Sequence, residues 1–411
     1  DTMRPGRRLV LRGTTADGSE RAEAAVLAEV QAVASGWRLI LEDDLAESYE
    51  RGSVVVHGNV ALATHGETVH ELLGSGRGSV PFERFPLAHS PLTHVASTSP
   101  AGADPALEVR VNDVRWDEVP TLSGAARRDR VYALRTDERG SVYVQFGDGE
   151  RGARLPTGSN NVRARYRKGL GAAGNVGAGA LAQLLDRPPG VKGVSNPVQA
   201  SGGVDAEPGE AARASIPLAV RTLGRAVSLL DYEDFARAFA GVAKAHAAVL
   251  PLRARRAVVV SVALAGQPSP GEAERLAELG TALRAYGDPR VDVVVVAGAR
   301  EAFRLALRVA VDPAHEEETV LAGVEAALRA AYSFEARGFA QPVHRSEVIA
   351  VVHSVAGVVA VDVDRLYSGS APGVAERLVA KRPAVGPTGL PLPAGLLLLD
   401  PAPLDWLEAL P

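Results

Sequence analysis

From Arg8 to about Arg167 the apolar positions fall in short, β-branched runs that alternate with polar ones and break at glycine or proline: RLVLR (8–12), AAVLAEVQAV (24–33), SVVVHGNVAL (53–62), ALEVRVNDVRW (106–116), RVYALRT (130–136), SVYVQFGDG (141–149) and NVRARYRKG (161–169). A period of two over such runs predicts strands with one buried face. Asn112-Asp113 stands between two alternating arms, and Glu138-Arg139-Gly140 between two more, so both stretches predict hairpins. Residues 1–204 are expected to form one or two β-rich domains that include a glycine-rich segment, 169–203.

Beyond that segment the period changes. EPGEAARASIPLAVRTLG (207–224) and SLLDYEDFARAFA (228–240) repeat near 3.6 residues, with Ser228 or Asp231 placed to cap the second helix. Strand-like AKAHAAVLP and AVVVSVAL follow, then a helix over 270–286 and strands RVDVVVVAG and FRLALRVAV. Helices over 316–333 and 344–355 and the strand VVAVDVDRL complete the run. The order β-β-α-β, then β-α-α-β, predicts two small α/β sandwich-like half-domains, 205–300 and 301–380, each a sheet covered by helices on one face. The fold class expected is therefore α+β and multidomain. Residues 381–411 carry seven prolines around GLLLLD and read as an extended tail, lying either against a neighbouring surface through Leu396, Leu397, Leu398, Leu399 and Trp406 or over its own domain.

Composition narrows the class. With 411 residues and 46% hydrophobic content the chain can fill about two or three packed domains. Its longest aliphatic runs, such as VVVVA (293–297), are of strand length, so no membrane-spanning helix is expected. The 45 basic and 49 acidic residues are interspersed and sum to −4, which disfavours nucleic acid as a partner. Zero cysteines remove disulfides, thiolate metal sites and cysteine nucleophiles, in keeping with a reducing compartment. Only Lys168, Lys192, Lys244 and Lys381 are lysines, a bias of codon usage rather than function.

Candidate chemistry then fails piece by piece. Gly169, Gly171 and Gly174 have the G-x-G-x-x-G spacing of a dinucleotide loop. Such a loop needs an apolar parallel strand before it, a helix after it and an acidic residue about 20 positions on. Here the strand carries Arg163, Arg165 and Arg167, NVGAGAL follows, and Lys192-Gly193 occupy the ribose position. Glycines that let the backbone turn tightly after a strand are the expected reading. HGETVHE places His65, Glu67, His70 and Glu71 together without the H-E-x-x-H helix spacing of a metalloprotease. FGDGERG (146–152) offers Asp148 and Glu150 alone, too few carboxylates for a calcium loop. No nucleophile-elbow, phosphate-loop or kinase pattern occurs. No catalytic, cofactor or metal residue is expected, and the chain is read as not an enzyme. Gly147, Gly149 and Gly158 are placed as turn residues, with Asn160 and Asn161 bonding the loop's own backbone.

Four blocks, 56–95, 107–122, 144–181 and 223–245, together resemble the baseplate assembly proteins of contractile injection systems, the J-like wedge proteins related to contractile phage tails. Within the third block, Phe146, Gly147, Asp148 and Gly149 form the FGDG element. Tyr166, Arg167, Gly169, Gly171, Gly174, Asn175, Val176, Gly179 and Leu181 match the family pattern YRxGxGxxGNVxAGxL. The resemblance implies a structural protein in several copies with six-fold symmetry around a spike and hub. It also implies holding the first sheath ring and converting baseplate rearrangement into contraction. Implied partners are other wedge subunits, further copies of this chain, the spike or hub protein, and the sheath or a sheath-initiating protein. Contacts between copies are expected over 205–368, and cytoplasmic assembly into a tail-like particle, with or without release, is the expected location. The opening DTMRPGRR lacks an initiator methionine, so the family's long N-terminal portion is expected to be missing. Two rival classes remain: a secreted carbohydrate-active or metal-dependent enzyme with a β-rich binding module, and a tail-tip adhesin. The adhesin is disfavoured by only three tryptophans and no repeat.

Overall fold

The computed structural model describes residues 3–33, 36–169, 171–205, 213, 218, 221–222, 225–252, 255–266 and 271–410. The chain divides into two units: residues 1–95 with 105–206, and residues 96–104 with 207–411. The helix expected over 207–224 lies mostly outside the described residues; Arg213, Leu218, Arg221 and Thr222 within it are helical.

Unit 1 contains two sheets. The smaller is antiparallel, in the order β3-β2-β1-β4, with β1 Arg8–Thr14, β2 Glu20–Val33, β3 Gly36–Leu41 and β4 Val55–His57. Leu9 and Leu27 are its most deeply buried side chains. The larger sheet has seven strands: β5 Glu67–Gly74, β6 Arg84–Pro86, β7 Leu107–Val111, β8 Val114–Glu118, β9 Val131–Thr136, β10 Val142–Phe146 and β11 Val162–Lys168. Their order is β5-β11-β7-β8-β9-β10-β6. Only β8 and β9 run parallel. The two end strands meet, because Gly74 of β5 stands where a Cβ would fall 2.8 Å from the Phe85 ring of β6. The alternation in the sequence explains the core: Val109, Val111, Trp116, Tyr132, Val144, Phe146, Val162, Ala164 and Tyr166 all point inward. Phe146 meets Trp116 and Phe85 edge-on at 5.3 and 6.1 Å between ring centroids.

Both expected hairpins form. Asn112 and Asp113 take φ of 50° and 61°, the left-handed pair of a two-residue turn between β7 and β8. Between β9 and β10, the Asp137 carboxylate accepts from the amides of Arg139 and Ser141.

Unit 2 is built around two sheets, each covered by helices. The first comprises α1 Leu229–Ala238, β12 Val242–Leu252, β13 Arg255–Leu264, α2 Glu272–Tyr286 and β14 Asp292–Ala297, in the sheet order β12-β13-β14. Ser228 caps α1: its hydroxyl accepts from the Asp231 amide while the Asp231 carboxylate accepts from the Ser228 amide. Tyr232, Phe235, Leu279 and Leu283 of the helices pack on Val258, Val260 and Val262 of β13. The other side of β13 is also closed, since Val259 and Ser261 are fully buried and the Ser261 hydroxyl accepts from the Ala394 amide at 2.9 Å.

The second sheet contains β15 Ala299–Val311, β16 Val358–Ser368, β17 Gly395–Leu399 and β18 Trp406–Ala409, with helices α3 Glu317–Ala331 and α4 Arg345–His353. β15 pairs antiparallel with β16 on one side and parallel with β17 and then β18 on the other. This corrects the expectation of an extended arm at 381–411. Leu396, Leu397 and Leu399 are buried in the chain's own unit, and the prolines of the tail separate two short strands instead of preventing them. The α+β class, β-rich and multidomain, is as expected.

Candidate functional site

The glycine-rich stretch begins where β11 ends, and its fingerprint glycines are each closed in by the chain itself. A Cβ on Gly169 would fall 2.9 Å from Gly66 Cα and 3.0 Å from the His65 ring; on Gly174 it would fall 2.5 Å from His65 Cβ, and on Gly171 1.9 Å from the Val204 carbonyl oxygen. The space a pyrophosphate would need is filled by His65 and by residues 203–205. Ala172–Gly174 form one 3-10 turn, and β11 is antiparallel to both its neighbours. Polar groups tie the same segments together. Asn175 donates to the Gly203 carbonyl at 2.7 Å and accepts from the Gly203 amide at 2.8 Å. Asp205 accepts from the Ala172 amide, while Arg167 donates to the Thr64 hydroxyl and to the carbonyls of Thr64 and Gly66.

A second knot follows Phe146. A Cβ on Gly147 would lie 2.4 Å from the Gly152 backbone, which leaves room for glycine alone. The Asp148 carboxylate accepts from the amides of Arg151 (2.7 Å) and Glu150 (2.9 Å), and these bonds hold it below the usual carboxylate range. Gly149, at φ +89°, donates to the Gly152 carbonyl. These groups close a turn and leave no carboxylate pair free for a ligand. The next loop is pinned from residues 75–78. Gly158 donates to the Gly76 carbonyl, Asn160 (φ 53°) to the Ser75 hydroxyl, and Asn161 accepts from the Gly76 amide at 2.8 Å while donating to the Pro156 carbonyl. Sequence reasoning missed the other side of this contact. Gly76 would place a Cβ 2.6 Å from the Pro156 carbonyl oxygen, and the buried Glu83 accepts from the Arg77 side chain (2.7 Å) and amide (2.9 Å). The only available signal was the small-residue pattern SGRG (75–78).

Tyr166 donates its hydroxyl to Glu71 at 2.7 Å and accepts from the His89 amide; burial, together with the carboxylate, pushes the phenol up to about 12. Glu67 pairs with Lys168 at 3.1 Å, His70 lies on the outer face, and His65 belongs to the glycine knot, so HGETVHE is divided among three local tasks. Among the described residues no three His, Cys, Asp or Glu side chains are placed to hold a metal ion. Nor is any described helix long and apolar enough to cross a membrane.

In unit 2, Trp406 of β18 donates its indole N–H to Asp364 at 3.1 Å and lies under the Arg365 guanidinium, 4.3 Å from the ring centroid. Beside it Asp405 accepts from Arg304 (2.7 Å), Tyr367 (2.8 Å) and Arg365 (3.3 Å). Burial works against the Asp405 charge, but these donors outweigh it and hold the carboxyl below its ordinary range. Trp406 thus fastens β18 to β15 and β16 of its own sheet.

Residues 224–296, which take in α1, β12, β13, α2 and nearly all of β14, match the family described as Baseplate J-like central domain. No curated protein matches the chain. Among solved structures, a chain of the cryo-EM structure of the anti-feeding prophage (AFP) baseplate, 6-fold symmetrised, is similar over 84% of this chain and 78% of that one. Its identity of 13% and TM-score of 0.34 are too low to carry an argument. The family match falls on a compact helix-covered sheet with its own core, and it overlaps the fourth block, 223–245, of the sequence resemblance. Residues 224–296 of this chain are thus similar to the central domain of baseplate J-like proteins.

Proposed function

We propose that the chain is a structural wedge component of the baseplate of a contractile injection system. It assembles in several copies around the spike and hub and links to the sheath, so that rearrangement of the baseplate triggers contraction. The observation that carries this reading is the Baseplate J-like central domain over 224–296. The sequence resemblance along blocks 56–95, 107–122 and 144–181 extends it to unit 1. Its partners are other wedge subunits, further copies of itself through the region 205–368, the spike or hub, and the sheath or a sheath-initiating protein. The role is non-enzymatic: Phe146, Gly147, Asp148, Gly149, Gly158, Asn160, Asn161, Tyr166, Arg167, Gly169, Gly171, Gly174 and Asn175 serve folding, and Trp406 seals its own sheet. Assembly takes place in the cytoplasm, before any release of the particle.

Cryo-EM of particles from the native source, with this chain carrying a tag, tests the reading. Tag density repeated six-fold around the spike, next to the first sheath ring, is the expected result. Particles complete without the chain would refute the wedge role. Calorimetry with NAD should show no binding; a micromolar affinity would revive an enzyme.

A further inference from the structure

We propose that the outer face of the larger sheet of unit 1 receives a second copy of this chain, through that copy's acidic stretch 42–50. Strand register places Arg163 of β11 directly opposite Arg110 of β7, and Arg110 directly opposite Arg115 of β8. Their alternating neighbours Ala164, Val109 and Trp116 are buried, so the three guanidinium groups form one row on the open face, with side chains 63%, 51% and 68% exposed. Like charges directly opposed across strands destabilise a sheet. Carboxylates relieve the row only in part: Glu108 lies 2.5 Å from Arg110, Asp113 3.4 Å from Arg163 and Asp117 3.7 Å from Arg115. Such pairs on solvated side chains are weak. In the next row Arg165 stands opposite Glu108 and His70, is exposed, and forms no ion pair among the described residues. At the end of the arginine row Leu72, opposite Arg163, is half-exposed.

The mixture decides the kind of occupant. Glu108, Asp113 and Asp117 on the same face would meet the phosphates of a nucleic acid unfavourably, and Leu72 supplies an apolar contact, so the face fits an acidic protein segment. The chain itself carries one. Glu42, Asp43, Asp44, Glu47 and Glu50 are all exposed, and none forms an ion pair among the described residues. Another acidic run, Glu316 to Glu318, sits at the start of α3, where the helix dipole already stabilises it, and Glu316 accepts from the Thr319 hydroxyl. The charge of the stretch 42–50 is thus left unanswered among the described residues. A contact between two different patches is heterologous, so successive copies form a ring or an open chain. The inference adds a second contact between copies to the one proposed over 205–368, and it rests on the multi-copy reading above.

The test uses the full chain in two charge-reversed forms, Arg110→Glu with Arg163→Glu, and Asp43→Lys with Asp44→Lys and Glu47→Lys. All these side chains are exposed, and melting temperatures equal to the parent's verify the fold. In sedimentation at low salt the parent should self-associate, and salt should weaken it. Each variant alone should associate about tenfold more weakly or less. An equimolar mixture should associate again, because reversed face meets reversed stretch and native face meets native stretch. Variants that associate like the parent, or a mixture that stays apart, would sink this contact. So would a duplex oligonucleotide bound tighter than the second copy and lost on Arg110→Glu with Arg163→Glu. If those variants also enter baseplates normally, the wedge reading survives the loss; a parent that neither self-associates nor enters baseplates removes both.

Discussion

The loops of unit 1 after β10 and the tail of unit 2 look alike in sequence, since both are rich in glycine or proline and poor in periodic pattern, yet opposite forces hold them. In the unit 1 loops, backbone lies against backbone, and the fixing bonds come from Asn161, Asn175 and Asp148. In the tail, Leu396, Leu397 and Leu399 are buried, and charged groups close over the edge. A substitution in the first region therefore acts by collision, and in the second by an emptied cavity or an orphaned charge.

The largest expected effect lies in the first region. Gly147→Ala would drive a methyl into the backbone of residues 151–152, 2.4 to 2.6 Å away, with no side chain able to yield. A loss of about 3 kcal/mol or more, read by urea unfolding, is expected; an unchanged midpoint would show that the loop relaxes freely. Leu397→Ala, at a residue 1% exposed, should cost about 2–4 kcal/mol in the same assay. A loss under half of that would place the tail outside the core's energetics.

Arg337 tests the charged side of the comparison. It is 2% exposed, pairs with Glu347 at 2.8 Å, donates to the Pro342 carbonyl at 2.6 Å and faces the Tyr332 ring. Arg337→Met should cost about 1–3 kcal/mol, and Glu347→Gln less, because Glu347 is 38% exposed and can rehydrate. Equal losses would contradict this division.

Acid tests the carboxylates that close over the tail. Asp405 and Asp364 are held below their ordinary range, Asp364 chiefly by the Arg308 hydrogen bonds, so both bind protons less readily folded than unfolded. Their contribution is present above an unfolded carboxyl value of about 4 and is lost as pH falls through the lower folded values. Asp405→Asn should cost about 1–2 kcal/mol at pH 7, and the gap to the parent should shrink below about pH 4. A constant gap across that range would deny the linkage. The smallest effect is expected from Gly149→Ala. That glycine needs φ +89°, but its Cβ would meet only the Arg154 side chain, which can move, so about 1 kcal/mol is expected. A cost equal to that of Gly147→Ala would mean that the two glycines do not differ in kind.

The strands and helices were legible because their period is local: NDVRW, SVYVQF, AVVVSVAL and the Ser228-Asp231 cap each state their structure within a few residues. The glycine contacts were legible only as permissiveness. That Gly171 faces Val204 and Gly169 faces His65 depends on segments far apart in the chain, which no spacing encodes. Gly76, which faces Pro156, was missed for the same reason, whereas Glu83 binds Arg77 only six residues away and was missed because nothing in its local pattern marks a buried carboxylate. That the tail covers its own unit is one of the two readings the sequence allows; its strands are hidden because prolines argue against continuous strands and do not argue against two short ones of five and four residues at a sheet edge.

Those two strands give unit 2 a condition of completeness. Protein synthesis runs from the N-terminus, so β15 emerges with Phe303, Leu305, Leu307 and Val309 while the strands that cover its second edge, and the Ala394 amide that Ser261 accepts from, are still unmade. A chain that stops short of residue 395 presents an apolar strand with a free edge, the surface that aggregates or is removed. Only a polypeptide translated through residue 409 can close its second sheet.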